Sequence, residues 1–142
     1  MSIKVYDFWN TLCIDLNYRF FSGIPVADFK VMQGSMDSEF LHFVPTLDEG
    51  IALGLISGAK LSGVNGTVIM GAKAFDSITA QFNGFNIFFN IPVLFIVDNE
   101  YNPLGLNQCI LDDDPIVINK LVDHINDNNE SSILVVRKGI LL

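Results

Sequence analysis

Apolar residues at Val5, Phe8, Trp9, Leu12, Cys13 and Leu16 recur every three or four positions. That spacing puts them on one side of a helix and predicts an amphipathic first helix over 4–17. Arg19-Phe20-Phe21 then reads as a short strand, closed by Ser22-Gly23-Ile24-Pro25. A weaker helical pattern covers 26–33, and the polar run 33–38 forms a turn. The apolar run 40–44 stops at Pro45 and is a second strand, followed by a helix over 47–62. In that helix Gly50, Ala52, Gly54, Ser57, Gly58 and Ala59 alternate with Ile51, Leu53, Leu55 and Ile56. Small side chains let another backbone approach, so close packing is expected on both of its sides.

Asn65-Gly66 marks a turn before a buried strand at 67–70. A helix over 75–88 is expected to bury Phe75, Ile78, Phe82, Phe85 and Phe89. Pro92 restarts the chain as Val93-Leu94-Phe95-Ile96-Val97, apolar throughout, as a strand covered on both faces must be. Residues 98–115 read as a connection of roughly eighteen residues, long enough to be a candidate functional segment. Pro115 opens a helix over 116–127, and Ile133-Leu134-Val135-Val136 is the last strand. Strands alternating with helices predict an α/β fold: a single-domain, doubly wound parallel sheet of about five or six strands with helices on both faces. No repeat or composition break divides residues 1–142 into two domains.

Composition sharpens this picture in three ways. Half the residues are hydrophobic, only 17% are charged, and 12 are Phe, so part of the apolar surface is expected to face a partner chain in a homo- or hetero-oligomer. The net charge is −8, with eight bases spread along the sequence, which argues against nucleic acid and against an anionic membrane surface. The stretch 77–97 is uncharged but holds Gln81, Asn83, Gly84, Asn86, Asn90 and Pro92, which favours helix, break and strand over a membrane span. The N-terminus lacks the basic and apolar regions of a signal peptide, and Cys13 and Cys109 lack metal-ligand spacing. Both suggest a cytoplasmic chain with two buried thiols, although a disulfide is the other use for two cysteines.

Among the candidates for chemistry, Glu49 stands out. Thr46-x-x-Glu49 fits a capping box, with Asp48 as a first-turn acid that favours the helix dipole. The same position places Glu49 at the carboxyl end of a strand, where open α/β sheets bind ligands. Lys73 and Asp76 follow the next strand on that edge, where an exposed helix start is the plainer reading. His42 and His124 have no nucleophile or ligand at a telling distance. Asp112-Asp113-Asp114 precedes Pro115 and a helix, as an acidic cap does, and no Gly-rich phosphate loop follows any strand.

Four short motifs, in order, give the chain a family resemblance. They are Phe21-Ser22-Gly23-Ile24-Pro25, Pro45-Thr46-Leu47-Asp48-Glu49-Gly50 with its small-residue helix, Ile91-Pro92-Val93-Leu94, and Val135-Val136-Arg137-Lys138-Gly139. Together they resemble the pyrimidine-binding domain of thiamine diphosphate enzymes, in particular the separate α subunit of sulfopyruvate and phosphonopyruvate decarboxylases. The resemblance implies that Glu49 hydrogen-bonds N1′ of the aminopyrimidine and favours the imino tautomer, whose nitrogen takes the thiazolium C2 proton. It also implies that Gly23, Pro25, Ala72, Lys73 and Phe75 lie in the cofactor-binding segments. Thiamine diphosphate would then be the cofactor, with its diphosphate and Mg²⁺ held by a partner subunit carrying the diphosphate-binding domain. Two segments depart from the family pattern. Gly71-Ala72-Lys73-Ala74-Phe75-Asp76-Ser77 replaces a Gln-Asn-Ser-Gly-Leu-Gly-Asn run, and 99–108 lacks the acidic segment with histidine. The departures leave two readings open: a catalytic subunit for 2-oxo acids, or an oligomerising homologue that has lost the chemistry.

Overall fold

A computed structural model of the chain describes all residues except Met1, Pro25, Ala27, Asp28, Ser38 and Phe40. Six strands form one sheet: β1 Phe20–Gly23, β2 His42–Pro45, β3 Gly66–Ile69, β4 Leu94–Val97, β5 Asn107–Ile110 and β6 Ser132–Val135. Their order is β2-β1-β3-β4-β6-β5, and every pairing is parallel. The expected α/β single sheet is therefore what the chain adopts.

Alternation along the strands sorts the core into two halves. Phe21, Ile69, Leu94, Ile96, Leu134 and Val136 face α1 (Val5–Trp9), α2 (Lys30–Gly34) and α5 (Ile116–Asn128). Val68, Phe95, Val97, Ile133 and Val135 face α3 (Glu49–Leu61) and α4 (Phe75–Gln81). All four residues of β3, β4 and β6 are buried, because helices cover both sides of these central strands. Phe95 is the hub of the second half, 5.1 Å from the ring of Phe75 and 5.8 Å from that of Phe82.

Three expectations are corrected. The first concerns residues 98–115, which are not one loop, because β5 lies inside them and pairs with β6. Asn107-Gln108-Cys109-Ile110 is a half-buried edge strand without the apolar run of a central one, and so it gives a weak sequence signal.

The second concerns the stripe on 75–88. Phe75, Ile78 and Phe82 are buried as expected, but Phe85 and Phe89 are exposed and Asn86 is buried instead. The cause is a π-helical turn, Phe82–Ile87, that continues α4. Its wider turn advances the inward position by about one residue beyond α-helical spacing. Asn86 there donates from Nδ2 to Ser57 Oγ (2.8 Å) and to the Ile91 carbonyl (3.2 Å), tying α4 to α3. A similar π-turn, Asn10–Asp15, continues α1.

The third concerns the helix expected to pack on both sides. Within this chain α3 packs on one side only. A Cβ added at Gly54 or Gly58 would meet nothing within 4 Å.

Strand and helix ends otherwise move by one to a few residues. Pro45 joins β2 because an edge strand tolerates a missing N–H. The start of the expected strand at Phe40, and part of the expected helix over 26–33, lie outside the described residues. No helix among the described residues is long and apolar enough to cross a membrane.

Both cysteines are free thiols. Burial pushes the Cys13 thiol up to about 11, against the opposing charge of Arg19, and pushes the Tyr18 hydroxyl up to about 12. The native state thus holds both groups neutral, whereas unfolded they titrate near 9.0 and 10.0. Their contribution to stability is complete below the unfolded values and is lost as pH rises through the folded ones. Urea midpoints are expected to be level up to pH 9.0 and to fall steadily from there toward about 12. In native protein a thiol reagent should label the half-buried Cys109 first and reach Cys13 only on unfolding.

Candidate functional site

The chain runs from β1 outward to β2, then returns past β1 to β3. That reversal opens a crevice at the carboxyl ends of β1 and β3, where open parallel sheets hold ligands. Gly23 ends β1 there, in register with Ile69 of β3. The two backbones come so close that a Cβ on Gly23 would sit 1.8 Å from the Ile69 carbonyl oxygen. Only glycine fits this position.

From the crevice the chain is tied to the next strand, since Thr46 N–H donates to the Gly23 carbonyl (2.9 Å). Thr46 Oγ1 then donates to the Asp48 carbonyl (3.0 Å), so the expected capping box is not formed. Asp48 is the N-cap instead. Its Oδ1 accepts from Gly50 N–H (2.6 Å) and Ile51 N–H (3.2 Å). The extended backbone of Asp48 lets its short side chain turn back over the first turn, which leaves the glutamate unoccupied by capping.

Glu49 is consequently the first residue of α3, half-buried, and its carboxylate has no hydrogen-bond partner among the described residues. α3 packs across β1 and β3, which carries its first turn to the rim of the crevice. Gln81 Nε2 donates to the Gly50 carbonyl (2.9 Å) and fixes that turn against α4. None of four surface cavities of about 310 to 470 Å³ has Glu49 in its wall.

The other candidate residues divide. Lys73 is exposed near the same edge, in the 3₁₀ turn Ala72–Ala74 that follows β3. Ala72 is fully buried, and its N–H donates to Asp98 Oδ1 (2.8 Å). Phe75 is also fully buried against Phe95, which leaves its ring no surface for a ligand. Pro25 lies outside the described residues.

Residues after β4 that the motif reading passed over fill this edge. Asp98 holds the Ala72 amide, Tyr101 Oη donates to Asp76 Oδ1 (2.6 Å), and Glu100 pairs with Arg137 beyond β6. The bond to Asp76 is the main reason the Tyr101 hydroxyl titrates above its ordinary value, followed by burial and the charge of that carboxylate. The rule that singled out Glu49 would have found them, since Asp98 directly follows a strand. Away from this edge, Asp114 Oδ1 accepts from Ile116 N–H (3.0 Å), the capping role expected of the acidic run. Among the described residues no group of three or more His, Cys, Asp or Glu side chains converges to hold a metal ion.

No protein-family model matches the chain, and no curated protein sequence matches it. Among solved structures it is similar to a protein from Mycobacterium smegmatis provisionally assigned as a thiamin diphosphate-dependent enzyme. The TM-score is 0.69 over 96% of this chain, at 16% sequence identity. What the two share is the fold. The chain spans 31% of that protein's length. At this identity the likeness concerns the arrangement of strands and helices, not the residues at the crevice.

Proposed function

We propose that this chain is the pyrimidine-side subunit of a thiamine diphosphate-dependent 2-oxo acid decarboxylase of the sulfopyruvate or phosphonopyruvate type. The observation that carries the reading is the Glu49 carboxylate, left without a hydrogen-bond partner among the described residues on the rim of the β1/β3 crevice. A glutamate spent on capping could not serve an aminopyrimidine nitrogen, and here Asp48 does the capping. Glu49 would hold that nitrogen and share a proton with it. The exposed Lys73 and the backbone at Gly23 and Ile24 would border the ring. The cofactor, when bound, supplies the electron sink for loss of carbon dioxide.

No group of three or more His, Cys, Asp or Glu side chains among the described residues converges on a cation, so Mg²⁺ and the diphosphate it carries would be held by a second subunit. The surface supports such a partner. α3 exposes Ile51, Leu55 and Leu61 beside the open Gly54 and Gly58, and Phe85 of the π-turn and Phe88 and Phe89 just after it are exposed. Residues 50–59 and 77–97 hold no charged side chain on a chain of net charge −8, and exposed apolar groups clear of charge mark a protein contact.

Mixing the chain with a diphosphate-binding subunit, Mg²⁺ and thiamine diphosphate is expected to give a stable complex and cofactor-dependent turnover of a 2-oxo acid. Gly58→Arg should leave the isolated chain folded, because its side chain enters open space, and should abolish the complex. Assembly of that variant at native affinity would remove α3 from the interface.

A second reading has its own support. Asp98, Tyr101 and Arg137 are all occupied by intrachain partners, so the loops of the carboxyl edge close on one another. A non-catalytic homologue would have such an edge. It would form the complex without turnover.

A further inference from the structure

The eight bases that lie scattered along the sequence do not all stay apart in space. Lys30, Arg137 and Lys138 border one cavity of about 370 Å³ between α2 and the turn after β6. Its floor is apolar, with Phe29, Met32, Val136 and Leu141 all buried. Among the described residues no carboxylate stands in its wall. In a chain with 16 acids and eight bases, the sign of the charge is locally reversed.

The pairing of these bases sharpens the point. Arg137 meets Glu100 through Nη2 from outside the cavity wall, which leaves other N–H donors of the guanidinium uncommitted. Among the described residues neither Lys30 nor Lys138 takes part in an ion pair. Two lysine charges stand around this floor with the Glu100-paired guanidinium beside them, and an anion seated between the lysines relieves their repulsion. The floor adds a preference for an apolar body on the same molecule. The volume lies within the usual range for small-molecule sites, roughly 300–1,000 Å³.

We infer that this cavity binds a small amphiphilic anion, of the aryl or alkyl phosphate class. Its apolar body rests on the exposed Val31 and on Leu141, and its charged end meets Lys30 and Lys138. The site is separate from Glu49, because its floor belongs to the half of the core under α1, α2 and α5, whereas α3, which carries Glu49, covers the opposite face of the sheet. It therefore stands whether or not the chain serves a thiamine diphosphate enzyme.

The test is isothermal titration of the full chain with phenyl phosphate. Benzyl alcohol serves as the uncharged counterpart and inorganic phosphate as the bare anion. Phenyl phosphate is expected to saturate one site per chain, with the other two binding at least about tenfold more weakly. Lys30→Gln with Lys138→Gln should weaken phenyl phosphate by about tenfold or more, and added salt should weaken it in the native chain. Both lysines are exposed, so the thermal midpoint of the double variant should match the native one. If that variant fails to fold, Lys138→Gln alone, on the exposed turn, should still show the loss. Failure of phenyl phosphate to saturate, or equal binding by folded variants, overturns the site. Equal binding of inorganic phosphate overturns its amphiphilic character.

Discussion

Gly23→Ala is expected to yield no cooperatively folded protein. Glycine-to-alanine changes ordinarily stabilise by about 0.4–1 kcal/mol where the backbone permits, because the unfolded chain loses freedom. Here the new Cβ would lie 1.8 Å from the Ile69 carbonyl oxygen, far inside contact distance. Relief requires β1 and β3 to separate, and these are central strands whose ladder continues to β2 and β4. Backbone atoms cannot swing aside as a flexible side chain can, so the cost should exceed ~4 kcal/mol, a large part of the ~5–15 kcal/mol that holds a domain together. Circular dichroism and urea titration would measure it. Gly54→Ala is the control: it sits in α3 with open space around it and should gain ~0.5–1 kcal/mol. A Gly23→Ala protein with the native midpoint would mean that the strands do not approach this closely.

Glu49→Gln is expected to leave the fold intact and remove the chemistry. The glutamine is the same size, the helix is capped by Asp48, and Glu49 has no partner among the described residues to lose. The thermal midpoint should not move. In the complex with its diphosphate-binding subunit, kcat/KM should fall on the order of 10²–10⁴-fold, the usual range for losing a proton-transfer group. The amide can donate a hydrogen bond but cannot share a proton with the pyrimidine nitrogen. Steady-state kinetics on the assembled enzyme would read this directly. Undiminished turnover would leave Glu49 as an unoccupied side chain on a familiar scaffold.

These two residues show how far motif reading carried. Gly23 and Glu49 were both visible as residues, yet their surroundings were not. Nothing in Phe21-Ser22-Gly23 announces that the Ile69 carbonyl lies against it, since that contact joins residues 46 apart in sequence. The capping box at Thr46 is a sound local inference that loses to Asp48, two residues nearer the helix, whose side chain reaches Gly50 and Ile51. Phe75 and Ala72 follow a strand at the ligand edge, but their side chains turn into the core.

Hydrophobic period and turn residues sufficed for the α/β architecture, the central strands and the place of Glu49 at a strand-to-helix junction. Those properties depend on spacing within a few residues, which local order along the chain dictates. The β5 edge strand, the outward rotation of Phe85 and Phe89, the cation-lined cavity and the self-paired loops after β4 came only with the folded chain. Each depends on partners dozens of residues away or on a π-turn that shifts the helical phase. Local spacing carries no record of either.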